Sequence, residues 1–339
     1  MITVAESLPI IRTSERRDFK RCPQRWWWTW RDGLKSHDTA RALWFGTGIH
    51  LALEHFYAPG GLKRGRDPIK VWRNYAADDG LITMPSGQVN DVTGTPEYVQ
   101  ALTLGEDMLS GYFEHYGKDP HVYVLAAEKD FQMIIPGRKA GTDACVYAGK
   151  WDLLWRDETD NALWLSDHKT ARDLSVKHLT LDDQAGSYWA LAGQFLRANK
   201  LIGPKEMLKG IEYNILRKYS PPIDDRPMDE NGLRLNMNGS ISKRQPKGMD
   251  YRYLRERVHR TAKERQSQIR RIAVEAEAMD RMRNDRELLY KNPTSDCSWD
   301  CSFFLLCELH ERQSDYEEYK SMAYRVEDPY ADHREAVML

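Results

Sequence analysis

Two apolar runs joined by a short polar turn constrain this chain more than any other feature. Gly149-Lys-Trp-Asp152-Leu-Leu-Trp-Arg156 is followed by a stretch rich in Asp, Glu, Thr and Asn, then by Leu163-Trp-Leu-Ser-Asp167-His-Lys169-Thr170. Runs of this length bounded by turn residues are strands, and a four-residue loop from Glu158 to Asn161 makes them a hairpin. In that register Arg156 faces Leu163, Leu154 faces Leu165, and Asp152 lies across from Asp167. Facing Cβ atoms are roughly 4.5–5.5 Å apart, where two carboxylates repel and weaken the pairing. A divalent cation reverses that sign. Side chains alternate along a strand, so Lys169 projects on the same face as Asp167. A lone Asp-x-Lys is a common accident, whereas two carboxylates and a lysine converging from apolar strands form a more specific pattern. The competing reading is an edge hairpin whose exposed face carries an Asp–Lys pair.

Around this hairpin the periodicity predicts further strands at 122–126, 131–135 and 210–217, and helices from Ser14 to Arg21, from Pro23 through Trp30, over His50 to Tyr57, over 101–116 and over 184–198. Phe45-Gly-Thr-Gly48 reads as a tight turn leading into the His50 helix. Residues 60–95 are rich in Gly, Asp, Asn and Pro and read as an irregular insertion, and 220–247 as a loop. A long basic helix is expected from about Tyr251 to Tyr290, ending at Asn292-Pro293. There is no internal repeat and no phosphate loop of the Walker type.

The 339 residues carry 50 Lys and Arg against 51 Asp and Glu, which excludes a globally basic nucleic-acid binder. The charge is nonetheless uneven. Residues 1–36 hold eight basic and four acidic groups, 242–291 fifteen and eight, and 308–339 four and nine. A polyanion could be bound locally, although a charge-rich helix is more often a solvated face. No stretch approaches the ~20 apolar residues of a membrane span, and Met1 to Glu15 lacks the pattern of a secretory signal. A cytoplasmic protein is expected, in a bacterial or phage-infected cell.

Gly46-Thr-Gly-Ile-His50, Gly149-x-x-Asp152, Asp167-His-Lys169-Thr170 and Gln184-x-x-x-Tyr188, in that order, resemble the motifs of the RecB-type branch of the PD-(D/E)XK nucleases. That group includes exonucleases found beside CRISPR adaptation genes and in phage genomes. The resemblance runs from Ser14 to Cys307. It implies an α/β, restriction-endonuclease-like fold with a mixed sheet flanked by helices, and a metal-dependent DNA nuclease, most readily an exonuclease on single strands or DNA ends. Residue by residue, it implies that His50, Asp152 and Asp167 bind Mg²⁺ or Mn²⁺, joined by the carbonyl of His168. Lys169 is then the catalytic lysine, and Gln184 and Tyr188 line the DNA-facing side. Oxygen ligands suit hard divalent ions, and an added imidazole favours Mn²⁺ somewhat. Such an ion lowers the pKa of a water for in-line attack on phosphorus, while Lys169 orients that water or offsets charge. Glu54, four residues after His50, falls on the same helical face and could support the imidazole; a plain surface carboxylate is equally consistent. Partners implied are DNA and proteins of recombination, replication or CRISPR adaptation.

Five cysteines are an odd count for a disulfide framework. Cys297, Cys301 and Cys307 cluster, and Cys22 lies far upstream. One plus three fits zinc poorly and a [4Fe-4S] cluster better, with zinc and free thiols left open. The same arrangement resembles cluster-bearing RecB-type nucleases, which commonly space the first pair of the trio by two residues where this chain has three. A cluster would make a helical iron–sulfur portion from both chain ends. Cys145, in a strand pattern, reads as a small core residue. The chain then divides into residues 1–60, N-terminal helices with the first cluster cysteine and the histidine motif; 61–120, the insertion; 121–220, the core sheet and helix; 221–307, the loop, basic helix and cysteine trio; and 308–339, an acidic tail.

Trp26, Trp27, Trp28 and Trp30 invite a base-stacking role, but Trp26 and Trp30 share a helical face with Cys22 and are expected to pack around the cluster. Arg16, Arg17, Lys20 and Arg21 are candidate phosphate contacts, with Arg217 and Lys218 the better placed for the site. Two other classes remain alongside the nuclease: a DNA-binding or assembly module that kept the fold without catalysis, and a metal-cluster regulator in which the acidic hairpin is structural.

Overall fold

The computed structural model describes residues 8–37, 41–79, 81–83, 89–91, 94–222 and 224–331. The outer parts of the expected N-terminal segment and acidic tail, and parts of the expected insertion, lie outside the described residues. Strand β1 (Ile10–Arg12) runs into α1 (Thr13–Arg21), which stops at an extended Cys22. Pro23 opens α2 (Pro23–Trp26), and Trp27–Arg31 widen into a π-type turn before Gly33. Then follow β2 (Leu34–Ser36), α3 (Arg41–Phe56), α4 (Pro68–Asp79), the short strands β3 (Leu81–Thr83) and β4 (Val89–Asp91), and α5 (Pro96–Tyr116). The long strands β5 (Val122–Pro136), β6 (Asp143–Asp157) and β7 (Ala162–Ala171) lead to α6 (Asp183–Ala198) and β8 (Leu208–Arg217). After the loop come α7 (Met249–Arg252), β9 (Tyr253–His259), α8 (Ala262–Asn284), α9 (Cys297–Asp300), α10 (Phe304–Glu311), α11 (Tyr316–Ala323) and β10 (Tyr324–Val326). No helix among the described residues is long and apolar enough to cross a membrane.

One mixed sheet organises these elements. β5 pairs antiparallel along almost the whole of one edge of β6. The other edge is shared: β1 runs parallel to Val146–Ala148, and β7 pairs antiparallel with Leu153–Asp157. Between them, among the described residues, no strand pairs with 149–152 on that side, so the sheet forks there. β8 lies parallel to β7, and β9 closes the edge antiparallel to β8. Helices cover both faces, as an α/β sheet buried on two sides requires. Trp151, Leu154, Leu163 and Leu165 pack with residues of α6 and α8 on one face, and Leu153, Trp155 and Trp164 with residues of α3, α4 and α5 on the other.

Several expectations need correcting. The segments 122–126 and 131–135 are one strand with a bulge between Val124 and Ala126. Phe45 to Gly48 does not lead into the His50 helix but lies inside it, and Gly48 serves packing: a Cβ there would lie 2.5 Å from Trp72 and Tyr75, so its absence lets α4 approach. The long basic helix does not begin at Tyr251. Tyr253–His259 form an edge strand whose arginines hid its alternation by pairing inward: Arg255 meets Asp119 at 2.6 Å, and Arg257 meets Glu212 and Asp157, each at 2.9 Å. Trp26 and Trp30 turn into the main core, donating their indole N–H groups to Glu15 and Asp18 at 3.0 Å each. The break at Cys22 and the π-type turn rotate Trp28 instead toward the cysteine region, where it packs with Phe303 and Leu306. Cys145 is fully buried, as a core residue would be, and burial pushes its thiol up to about 12.

Arg16 is also fully buried and belongs to the architecture. Its guanidinium bonds Glu275 (2.6 Å), Ser187 (2.8 Å) and Asp183 (3.1 Å), tying α1 to α6 and α8. Burial alone would raise the Asp183 carboxyl, but Arg16, Lys20 and Gln268 outweigh it and hold the group at about 2. A depressed carboxylate stabilises the fold above its unfolded value and ceases to do so as pH falls through the folded one. Asp183→Asn is therefore expected to lose about 2 kcal/mol near neutrality. In thermal melts the gap from the parent should narrow below pH 4 and close near pH 2.

Candidate active site

The fork in the sheet gathers the charged groups. Lys129 pairs with Trp151 and Ala127 with Leu153, which sets Glu128 opposite Asp152. Leu153 pairs with Ser166 in the hairpin, in the expected register, so Asp167 is the next position beside Asp152. Three carboxylates thus stand side by side on β5, β6 and β7. The hairpin ladder itself ends at Leu153 and Ser166, one position short of an Asp152–Asp167 pair. In its place the backbone N–H of His168 donates to Asp152 Oδ2 at 2.6 Å. Glu128 has a φ of 43°, a left-handed conformation that costs a non-glycine residue energy within a strand.

His50, on α3, supplies the imidazole. Its Nδ1 lies 3.5 Å from Asp152 Oδ2 and 3.9 Å from Glu128 Oε1. One donor atom from each of His50, Glu128 and Asp152 lies within 4.8 Å of the others, a spacing able to hold a metal ion. Burial, then Asp167 and Glu128, push the Asp152 carboxyl up to about 7 against the opposing charge of His50. Burial works against a charged imidazole at His50, but the carboxylates prevail and raise it to about 9. Burial leads the shift at Asp152, and the surrounding carboxylates produce the one at His50.

Lys169 projects from β7 toward Asp167 (2.9 Å) and the amide oxygen of Gln184 on α6 (3.2 Å). Burial disfavours its charge, but Asp167 keeps its pKa above the usual lysine value. Tyr188, one turn after Gln184, is wedged against Phe131 and Gly149, where a Cβ would lie 2.7 Å from its ring. The His168 ring stands edge-to-face with the His50 ring, centroids 6.0 Å apart, and takes its hydrogen bond elsewhere. It stacks near Tyr57 and meets Asn214 Nδ2 at 2.9 Å through Nδ1, while Asn214 also donates to Tyr112, a partner of Arg255. Burial, then the charges of His50 and Arg255, lower its pKa well below normal and keep the ring neutral. A strand residue points its N–H and C=O to the same side, so the carbonyl of His168 faces the fork with its N–H.

The remaining expected residues are placed as follows. Among the described residues no hydrogen bond joins Glu54 to His50, whose neighbours are Glu128 and Asp152; burial and the charge of Glu128 raise the Glu54 carboxyl. Arg217 pairs with Asp173 at 3.0 Å and covers the Tyr251 ring, and Lys218 sits over Phe45. Arg217 ends β8 opposite Ala171, two residues past Lys169, and Lys218 follows it. Sequence reasoning missed Glu128. It ended one strand at 126 and began the next at 131, which left Glu128 between them, where the structure has one continuous strand.

Cys22, Cys297, Cys301 and Cys307 are half-buried at one corner, where Cys307 feels the electrostatic influence of the other three. Backbone N–H groups of Asn292 and Thr294 point at the sulfurs of Cys22 (3.4 Å) and Cys297 (3.3 Å). The segment after α8 is pinned to the α1–α2 junction, with Gln24 N bonded to Tyr290 O at 3.1 Å and Asn292 Nδ2 to Arg21 O at 2.8 Å. Nearby β2 and β10 pair antiparallel, Leu34 with Val326 and Ser36 with Tyr324.

The family description that matches this chain is the PD-(D/E)XK nuclease superfamily, over residues 13–308. No protein of curated function matches. Among solved structures, the crystal structure of a candidate exonuclease from Eubacterium rectale aligns with a TM-score of 0.40 and 13% identity, covering 89% of this chain and 99% of that one. A likeness that loose carries no argument about activity.

Proposed function

The chain belongs to the PD-(D/E)XK nuclease superfamily, and on that premise we propose that it is a Mg²⁺- or Mn²⁺-dependent deoxyribonuclease, an exonuclease of the RecB type acting on single strands or DNA ends. One observation carries the reading: three carboxylates on adjacent strands converge with an imidazole and a lysine at an open fork of the sheet. Such a cluster is costly in a structural element and useful to a metal ion.

The donor set of one imidazole and carboxylate oxygens fits a hard divalent ion. His50, Glu128 and Asp152 would hold it, with Asp167 and the His168 carbonyl facing the same space. Bound there, the ion would acidify a water and offset charge on a phosphate. The chain's own groups do the rest. Asp167 and Gln184 fix the direction of the Lys169 ammonium, which donates to a phosphate oxygen and balances the charge that grows there. His168 N–H holds one oxygen of Asp152, so that this carboxylate presents its other oxygen in a single orientation. The Asn214–Tyr112 link anchors His168 from behind.

In the same reading the four cysteines hold a [4Fe-4S] cluster with a structural role. Four thiols at one corner, two backbone N–H groups aimed at sulfur, and the cations Arg25 and Lys291 within electrostatic reach support it, since these offset the negative charge of such a group. The test of the nuclease is cleavage of end-labelled single-stranded and duplex DNA by anaerobically purified protein with Mn²⁺, Mg²⁺ or EDTA. Metal-dependent cleavage by the parent, reduced about 10²-fold or more in Lys169→Ala and Asp167→Ala, is expected. Equal residual cleavage in parent and variants would make the chain a DNA-binding module.

A further inference from the structure

A cleft of about 800 Å³ opens from Lys169 and Gln184 and runs along the first turn of α1 to Lys150. Its walls carry five cations and three carboxylates. Most of these charges are already engaged. Asp183 is held by Arg16 and Lys20, Asp182 caps α6 by accepting from Ala185 N at 2.7 Å, and Arg12 donates to the Pro329 carbonyl at 3.0 Å. Two others differ. Arg17 is exposed and, among the described residues, has no carboxylate within ion-pair distance. Lys150, exposed at the opposite wall, is paired at 3.3 Å with Glu128, a carboxylate that would turn to the ion once one is bound. Between them the Arg12 side chain makes no cap hydrogen bond to the first amides of α1, whose first turn carries the buried Glu15.

We propose that this cleft seats one nucleic-acid strand beside the reacting phosphate, with Arg17 and Lys150 as its backbone phosphate contacts. The proposal rests on the nuclease reading and adds to it the strand's path and the residues that hold it. A space of this size belongs with small-ligand pockets rather than with duplex grooves, so it takes a short run of one strand. One end is lined by Lys169, whose Nζ lies 2.9 Å from Asp167, so a strand lying in it ends beside the carboxylate cluster. Arg16, Lys20 and Arg21, which sequence proximity would group with Arg17, are bound to Glu275, Asp183 and Asp300 and do not share the role.

The test is binding of a short fluorescent oligothymidine, measured by anisotropy in EDTA over a range of salt, for the parent, Arg17→Gln, Lys150→Gln and, as a control, Arg73→Gln on α4. Arg17→Gln and Lys150→Gln are each expected to weaken binding about tenfold and to flatten the dependence of log K on log salt by about one phosphate contact. Arg73→Gln should match the parent. Arg17→Gln is the cleaner variant because it touches no candidate metal ligand. Unchanged affinity and salt slope in both cleft variants would overturn the proposal. So would a parent that prefers a duplex and loses it equally to both changes. The nuclease reading fails separately: a parent that binds through Arg17 and Lys150 but cuts nothing with Mn²⁺ keeps the cleft and removes the catalysis. A parent that cuts while both variants bind normally does the reverse.

Discussion

An Asp152→Asn protein is expected to lose at least ~10³-fold in cleavage while its metal-free form melts higher than the parent. The two effects share one cause. Burial, then Asp167 and Glu128, push the Asp152 carboxyl up to about 7 even against the charge of His50, so the metal-free fold bears a net cost for ionising it. Asparagine keeps the shape and can still accept from His168 N–H, but it removes the charge. Relief of about 1–3 kcal/mol follows from the cost of a buried charge, or a rise of several degrees in melting temperature. Saturating Mn²⁺ should reverse the order, since a bound ion stabilises the parent and has lost a ligand in the variant. Calorimetry with and without metal, beside the cleavage assay, reads both signs. A variant that loses stability along with activity would make Asp152 a structural residue.

Cys22→Ser should have the largest effect on stability. If four thiolates hold a cluster, the variant purifies without visible absorbance and without its iron. It also loses the cross-link between the α1–α2 junction and the segment after α8. Closing a loop of that length is worth roughly 5 kcal/mol in the chain-entropy account. Much of the loss should be local, because the nuclease sheet has its own two cores. A separate early transition and rapid proteolysis after residue 290 are therefore expected, ahead of the main melt. Full colour and an unchanged melt in Cys22→Ser would remove this cysteine from the cluster, and stoichiometric zinc in the parent would replace iron.

The parts legible in the sequence were those whose signal is local. The β6–β7 register could be counted from the turn, and with it the nearness of Asp152, Asp167 and Lys169, because hairpin pairing follows from loop length. Glu128 was not legible in the same way. It reaches the group through a left-handed backbone residue inside a strand, a conformation that propensity reads as a turn. β9 was hidden because its arginines are bonded to buried carboxylates from other elements, and only the tertiary partners distinguish such a strand from a basic helix. For the same reason Arg16 and Arg17, adjacent and chemically identical, could not be told apart until burial separated a fully enclosed guanidinium from an exposed one.

The pairing of β2 with β10 has a bearing on how the protein is made. Leu34–Ser36 leave the ribosome about 290 residues before their partners Tyr324–Val326, a delay of roughly 15–60 s at ordinary rates of synthesis. Throughout it, Trp28 and Leu34, both buried in the finished protein, lack Phe303, Leu306 and Tyr324 to cover them. The β5, β6 and β7 strands can meanwhile pair in order as they emerge, so the carboxylate cluster is assembled well before the cysteine corner has all its members. Yield in a foreign host should therefore depend on chaperone supply during translation.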